Sequence, residues 1–178
     1  MNKCNERSIM TKDKPSAKSA ASHVNYVHES PELFKAFVAL GNAVRESSIE
    51  EKTRDLVAIR ASQINGCAFC LDMHVKQARI HGERELRLYH VAAWRESTLF
   101  APRERAALAW TEALTRLPDQ GVPDELFERV RGQLSEKEIS DLTFAIMLIN
   151  AWNRINIGFK TIPGSSDAAF GLDKAGLS

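Results

Sequence analysis

What the chain lacks narrows its class first. No stretch approaches the ~18 consecutive apolar residues that a bilayer-crossing helix needs; the longest strongly apolar run is Phe144 to Ile149. The first residues hold no apolar core of a secretory signal, and the acids Glu6 and Asp13 argue against a mitochondrial leader. Neither sign of charge dominates: 24 Lys and Arg against 23 Asp and Glu leave a net +1. That balance offers no field for nucleic acid or an anionic membrane. Small molecules or other proteins are therefore the expected partners. Cysteine is scarce, with only Cys4, Cys67 and Cys70. Without an export signal the expected compartment is the cytoplasm. In that reducing setting two neighbouring cysteines point to catalysis or metal rather than to a staple.

Strand-like alternation is also missing, as is any repeat at a fixed period. What remains reads as an all-α, single-domain bundle of about six to seven helices. Residues 1–25 are polar and aperiodic and read as a flexible tail that includes Cys4, an incidental thiol. The helical domain spans 26–160. Ser30 and Pro31 open a helix to about Arg45, with Leu33, Phe37 and Leu40 on one stripe. Ser48 and Glu51 have capping-box spacing and open a second helix to about Ile64. A third starts at about Cys67 and stops at Gly82; a fourth spans about Glu83 to Ala93. Pro102 begins a fifth, ending at Leu117, and Pro123 a short sixth. Ser135 and Glu138 form another capping box and open a long last helix to about Lys160. Residues 161–178 read as a loose C-terminal tail.

The chemistry concentrates in Asn65-Gly66-Cys67-Ala68-Phe69-Cys70-Leu71-Asp72-Met73-His74. On one helix the two thiols and the imidazole fall within an arc of about 60°. Cys67 falls at the helix start, where free N–H groups favour a thiolate. Cys70 is one turn on, within disulfide reach of Cys67. His74 follows Cys70 by four residues, placed to take its proton. A thiolate made this way attacks a peroxide to give a sulfenic acid, and the second cysteine condenses with it to a disulfide. Zinc is the other sharp reading. It needs a fourth ligand, and His81, seven residues beyond His74, is the candidate on that face. Simple packing of two small thiols and a histidine is the bland one.

The stretch Arg54 to Cys70 through His74 resembles the core of the alkylhydroperoxidase D-like, carboxymuconolactone decarboxylase superfamily. Ala92 to Ser97, Arg103 to Trp110 and Ile149 to Arg154 extend the resemblance over roughly residues 25–160. It implies an all-helical fold, trimers or hexamers, and peroxidase activity on small organic hydroperoxides with a dithiol or protein thiol as reductant. No cofactor and no metal are implied. It also implies an acid twelve residues before the first cysteine, joined to the histidine in a proton relay. That acid is usually Glu; here it is Asp55, one methylene shorter, so its reach to His74 could need a bridging water. Asp55 also fits a plain role as a helix-start acid. The better-known enzyme carries a His between its cysteines, where this chain has Ala68 and Phe69. The lactone decarboxylases lack the cysteine pair, so the pair argues against that activity.

Cys67, Cys70, His74 and Asp55 are therefore the expected catalytic residues, with Cys70 peroxidatic and Cys67 resolving. A non-turnover thiol–disulfide partner or sensor is the alternative. Trp94, Trp110 and Trp152 read as packing residues. Asn150, Asn153 and Arg154 share a face of the last helix and read as a pocket lining, an interface or a solvated stripe. The last helix is apolar around most of its circumference, which points to a homo-oligomer.

Overall fold

The computed structural model describes residues 22–177. Cys4 and most of the expected N-terminal tail lie outside them. The described chain is helical, with no strand. In order, the helices are α1 (Tyr26–Glu29), α2 (Pro31–Arg45), α3 (Glu51–Asn65), α4 (Ala68–Ile80), α5 (Glu85–His90), α6 (Pro102–Arg116), α7 (Asp124–Arg131), α8 (Glu136–Gly158) and α9 (Asp167–Phe170). Short 3-10 turns at Val91–Ala93 and Leu172–Ala175 complete it.

α3 is the axis of the fold: from Asp55 to Ser62 every residue but Arg60 is buried, packed against α4, α6 and α8. Val57 joins Trp110, Leu142 and Ile146 in one cluster with α6 and α8. Leu56 and Ile59 join Ala78, Leu88, Trp94 and Leu108 in a second. Ala58 and Ala61 face the two cysteines in a third. Small residues at that third face let α4 approach closely. α2 is peripheral: Phe37 and Leu40 pack near Val44, Ala145 and Leu148, whereas Leu33, expected on the same stripe, is 73% exposed.

Two capping expectations had different outcomes. At α8 the box closes both ways: Glu138 N–H donates to Ser135 Oγ (3.3 Å), and Ser135 N–H donates to Glu138 Oε2 (2.8 Å). At α3 it does not form. Ser48 donates its N–H (2.9 Å) and its hydroxyl (2.7 Å) to Asp141 on α8, and α3 starts only after Glu50. The Asp141 carboxylate thus takes both Ser48 donors, the N–H that a capping box would give to Glu51 included. Lys137, with Ser48, holds Asp141 at a pKa of about 2.

The segment after α8, read from sequence as loose, folds back over α4. Lys76 of α4 is buried and donates to Asp167 (2.6 Å) and Asp72 (2.9 Å), while Gly164 N–H also donates to Asp72 (3.1 Å). Leu172 is buried in consequence. No described helix is long and apolar enough to cross a membrane.

Candidate active site

The junction of α3 and α4 is one residue long on each side of the break. Gly66 ends α3 in the left-handed region (φ 71°, ψ 29°), which an L side chain adopts at a cost. Its N–H and that of Cys67 both reach Ser62 O, the latter at 3.0 Å, closing the helix end. The Cys67 sulfur then caps α4, accepting from Cys70 N–H at 3.3 Å. Cys67 is therefore held by the end of one helix and the start of the next. The two sulfurs are joined as a disulfide, with Cα atoms 5.4 Å apart. Each cysteine is only 1% exposed, among Ala58, Ala61, Phe69 and Ile149, with Met73 and Trp152 against them.

His74, one turn after Cys70, has a defined tautomer. Its Nδ1 lies 2.8 Å from Gln77 Oε1, an acceptor, so Nδ1 carries the proton and Nε2 keeps its lone pair. Burial lowers its pKa to about 4, opposed by the Gln77 bond and assisted by the positive charge of Arg45. At neutral pH the imidazole is therefore an uncharged base.

Asp55 is buried on α3, but its hydrogen-bond partner is His81, not His74. His81 Nδ1 donates to Asp55 at 2.7 Å, and its Nε2 lies 3.4 Å from Glu51. Burial raises the Asp55 pKa, with the His81 bond pulling the other way. Among the described residues no hydrogen bond joins Asp55 to His74. α3 and α4 run antiparallel from the Gly66 turn, so Asp55 lies level with the far end of α4, where His81 is. His81, weighed as a zinc ligand, is thus directed to two carboxylates away from the sulfurs.

Residues 31–113, which contain Asp55, both cysteines, His74 and His81, match the carboxymuconolactone decarboxylase family. The chain is 44% identical over 137 residues to the uncharacterized protein YdfG of Bacillus subtilis, covering 77% of this chain and 93% of that one. The chain belongs to the carboxymuconolactone decarboxylase family. A solved structure of ATU0492 from Agrobacterium tumefaciens is 45% identical and superposes with a TM-score of 0.77, over 80% of this chain and 98% of that one. That protein is of unknown function and has been proposed to be an antioxidant defence protein, AhpD. The debrominase Bmp8 has the same fold at 20% identity, with a TM-score of 0.71 over 84% of this chain and 80% of that one.

This carboxymuconolactone decarboxylase family member also brings α8, outside the matched segment, to the site. Asn65 Nδ2 donates to the side-chain oxygens of Asn150 (2.9 Å) and Asn153 (2.8 Å). Asn153 donates to Ser62 (3.0 Å) and Asn150 to Thr115 (3.0 Å). Both asparagines are buried, so their stripe is an internal clamp on the Asn65-Gly66 turn rather than a solvated face. Arg154 is exposed and donates to Asn150 O. Sequence reasoning missed Asn156, whose Nδ2 lies 3.6 Å from the Cys70 sulfur. Asn150, Asn153 and Asn156 continue one i, i+3 series, and that spacing was the available signal.

Proposed function

We propose that this protein is a thiol-dependent peroxidase that reduces small organic hydroperoxides through a Cys67–Cys70 disulfide cycle. The carrying observation is two sulfurs within one helical turn, in an apolar shell, followed by a neutral imidazole with a free Nε2. In the reduced protein His74 takes the Cys70 proton. The Cys70 thiolate attacks the terminal peroxide oxygen, an S–O bond forms, the O–O bond breaks, and the leaving alkoxide takes the proton from His74 to depart as the alcohol. Cys67 thiol then displaces the sulfenic oxygen as water and the disulfide forms. A dithiol or protein thiol supplies two electrons and two protons to restore both thiols. An imidazole with a pKa of about 4 is a weak base while the sulfurs are bonded, and a thiolate one turn away raises it. We read Asp55 as acting through His81 at the far end of α4 rather than as the partner of His74.

We place this chemistry in the cytoplasm and in a trimer or hexamer. Phe144, Met147 and Ile157 leave about half of their surface exposed on α8, an apolar face suited to a subunit contact. The same burial of both sulfurs favours the second reading, a non-turnover redox sensor. Multiple-turnover loss of tert-butyl hydroperoxide with a dithiol reductant separates the two. The peroxidase reading expects many equivalents consumed per protein. Consumption of a single equivalent would leave the sensor and remove the enzyme.

A further inference from the structure

We propose that Asn156 is a further catalytic group of the sulfur site: its Nδ2–H holds the Cys70 sulfur while that sulfur carries charge, and its Oδ1 accepts the proton of the sulfenic acid that follows. The proposal rests on the peroxidase reading for its reaction and on α8 geometry for its residue.

The Cys70 sulfur needs a donor from another element. Cys70 lies in the first turn of α4, and its own N–H is directed to the Cys67 sulfur at 3.3 Å. Cys67 therefore has a donor supplied by the helix start, and Cys70 does not. Among the described residues, the side-chain donor within hydrogen-bond distance of the Cys70 sulfur is Asn156 Nδ2, at 3.6 Å. The residue is 4% exposed, so this contact is made out of water, where a donor to a thiolate counts most.

The orientation of the carboxamide follows from its second contact. Nδ2 also lies 2.9 Å from Trp152 O. A carbonyl can only accept, so the nitrogen must face it, and rotating the amide would set two oxygens together. One N–H is left for Cys70. The oxygen on the other side of the same planar group is buried with no partner. Buried acceptors are nearly always satisfied, and the exceptions call for a reason. The neighbouring asparagines show the ordinary arrangement: the side-chain oxygens of Asn150 and Asn153 both accept from Asn65. Asn156 alone in that series keeps an open acceptor, and it is the one whose amide touches a sulfur.

In the reaction, Cys70 thiolate attacks the terminal oxygen of the hydroperoxide. The S–O bond forms, the O–O bond breaks, the electron pair leaves on the alkoxide, which takes up the proton that His74 drew from Cys70 and departs as the alcohol, and Cys70 is oxidised by two electrons to the sulfenic state. Nδ2–H serves the thiolate before attack. Oδ1 accepts from the S–O–H group afterwards and holds it until Cys67 condenses with it and water leaves. His74 shares the Cys70 face of α4, with Arg45 of α2 acting on it. Once it has taken the Cys70 proton, His74 balances the thiolate's charge, and the Asn156 carboxamide is the side-chain donor in contact with the sulfur itself.

The test uses full-length protein carrying Cys4→Ser and Cys67→Ser, so that Cys70 is the one thiol. Its ionisation is followed by ultraviolet thiolate absorbance, and its stoichiometric oxidation by tert-butyl hydroperoxide through dimedone trapping. Asn156→Leu should raise the Cys70 pKa by about one unit, the scale of one hydrogen bond to a charged group. Asn156→Asp should raise it further, because a carboxylate replaces the donor. Oxidation at pH 7 should slow about tenfold in Asn156→Leu and recover at a pH where Cys70 is fully ionised, a recovery that a merely structural defect would not show. An unchanged pKa, or slowing that persists at high pH, overturns the proposal. Should both variants fail to fold, the parent protein decides: a Cys70 pKa at or above the free-thiol value of about 8.5 overturns it and a lower one upholds it. None of these readouts depends on turnover, so failure of the peroxidase reading would show separately, as absent turnover in the wild-type protein.

Discussion

The two halves of α4 are built on opposite principles. Toward its far end polar groups meet polar partners: Lys76 bridges Asp72, one turn earlier, and Asp167, and His81, the residue that caps the helix, lies between Asp55 and Glu51. At its near end the disulfide is set in an apolar shell of Ala58, Ala61, Phe69 and Ile149, with a neutral His74 and an unpartnered Asn156 oxygen. Complete pairing fixes an arrangement and leaves nothing over for a substrate. Incomplete pairing in an apolar shell leaves a base lone pair and an acceptor available for atoms that arrive later. Under the proposed function, the far half attaches the C-terminal segment and the near half carries the chemistry.

The sharpest way to break that division is at the sulfurs. Cys70→Ser should abolish hydroperoxide turnover to the level of reductant alone, and Cys67→Ser should leave one oxidation per chain that dimedone traps. A protein that keeps turning over without Cys70 would move the chemistry elsewhere. Next in size, His74→Ala should slow the first oxidation step by about a hundredfold, the lower end of what a positioned base contributes. Stopped-flow oxidation of the reduced protein reads it directly, and an unchanged rate would remove the base from the mechanism.

At the far half the expected effect is on stability instead. Lys76→Met leaves two partly buried carboxylates facing each other without their cation. The cost should be about 2 kcal/mol, below the value for a fully buried pair because both acids keep some solvent contact. It should appear as a lower denaturation midpoint and as faster proteolysis of residues 161–177, with the Cys67–Cys70 disulfide still forming. Smallest and most specific is a pH effect. His74 has a pKa of about 4 when folded and an ordinary value near 6.5 when unfolded. The unfolded chain therefore binds that proton first, and the oxidised protein should lose stability as the pH falls from 6.5 to 4. Urea midpoints across that window should show the loss, and His74→Gln should flatten it. The carboxylates held at a pKa of about 2, Glu112, Glu138 and Asp141, add their own losses only as the acid range below is entered.

Local chemistry was legible in the sequence. The Asn65-Gly66 break, the Ser135–Glu138 box, the prolines at Pro31 and Pro102, and the Cys67–Cys70–His74 spacing each act within one helical turn. The residues that specify them are neighbours in the chain, and their geometry follows from helix periodicity alone. Partnerships across elements were decided only by the folded structure. Ser48 opens no helix; its N–H and hydroxyl go to Asp141, 93 residues away. Asp55 meets His81 rather than His74 because antiparallel packing sets which residues of α3 and α4 lie level. Residues 161–177 fold back because buried Lys76 requires anionic partners and Asp167 supplies one. Asn156 reaches Cys70 from α8, 86 positions along the chain, and no spacing rule spans that distance. A helix specifies which of its own residues share a face; which foreign side chain meets that face depends on how the helices pack.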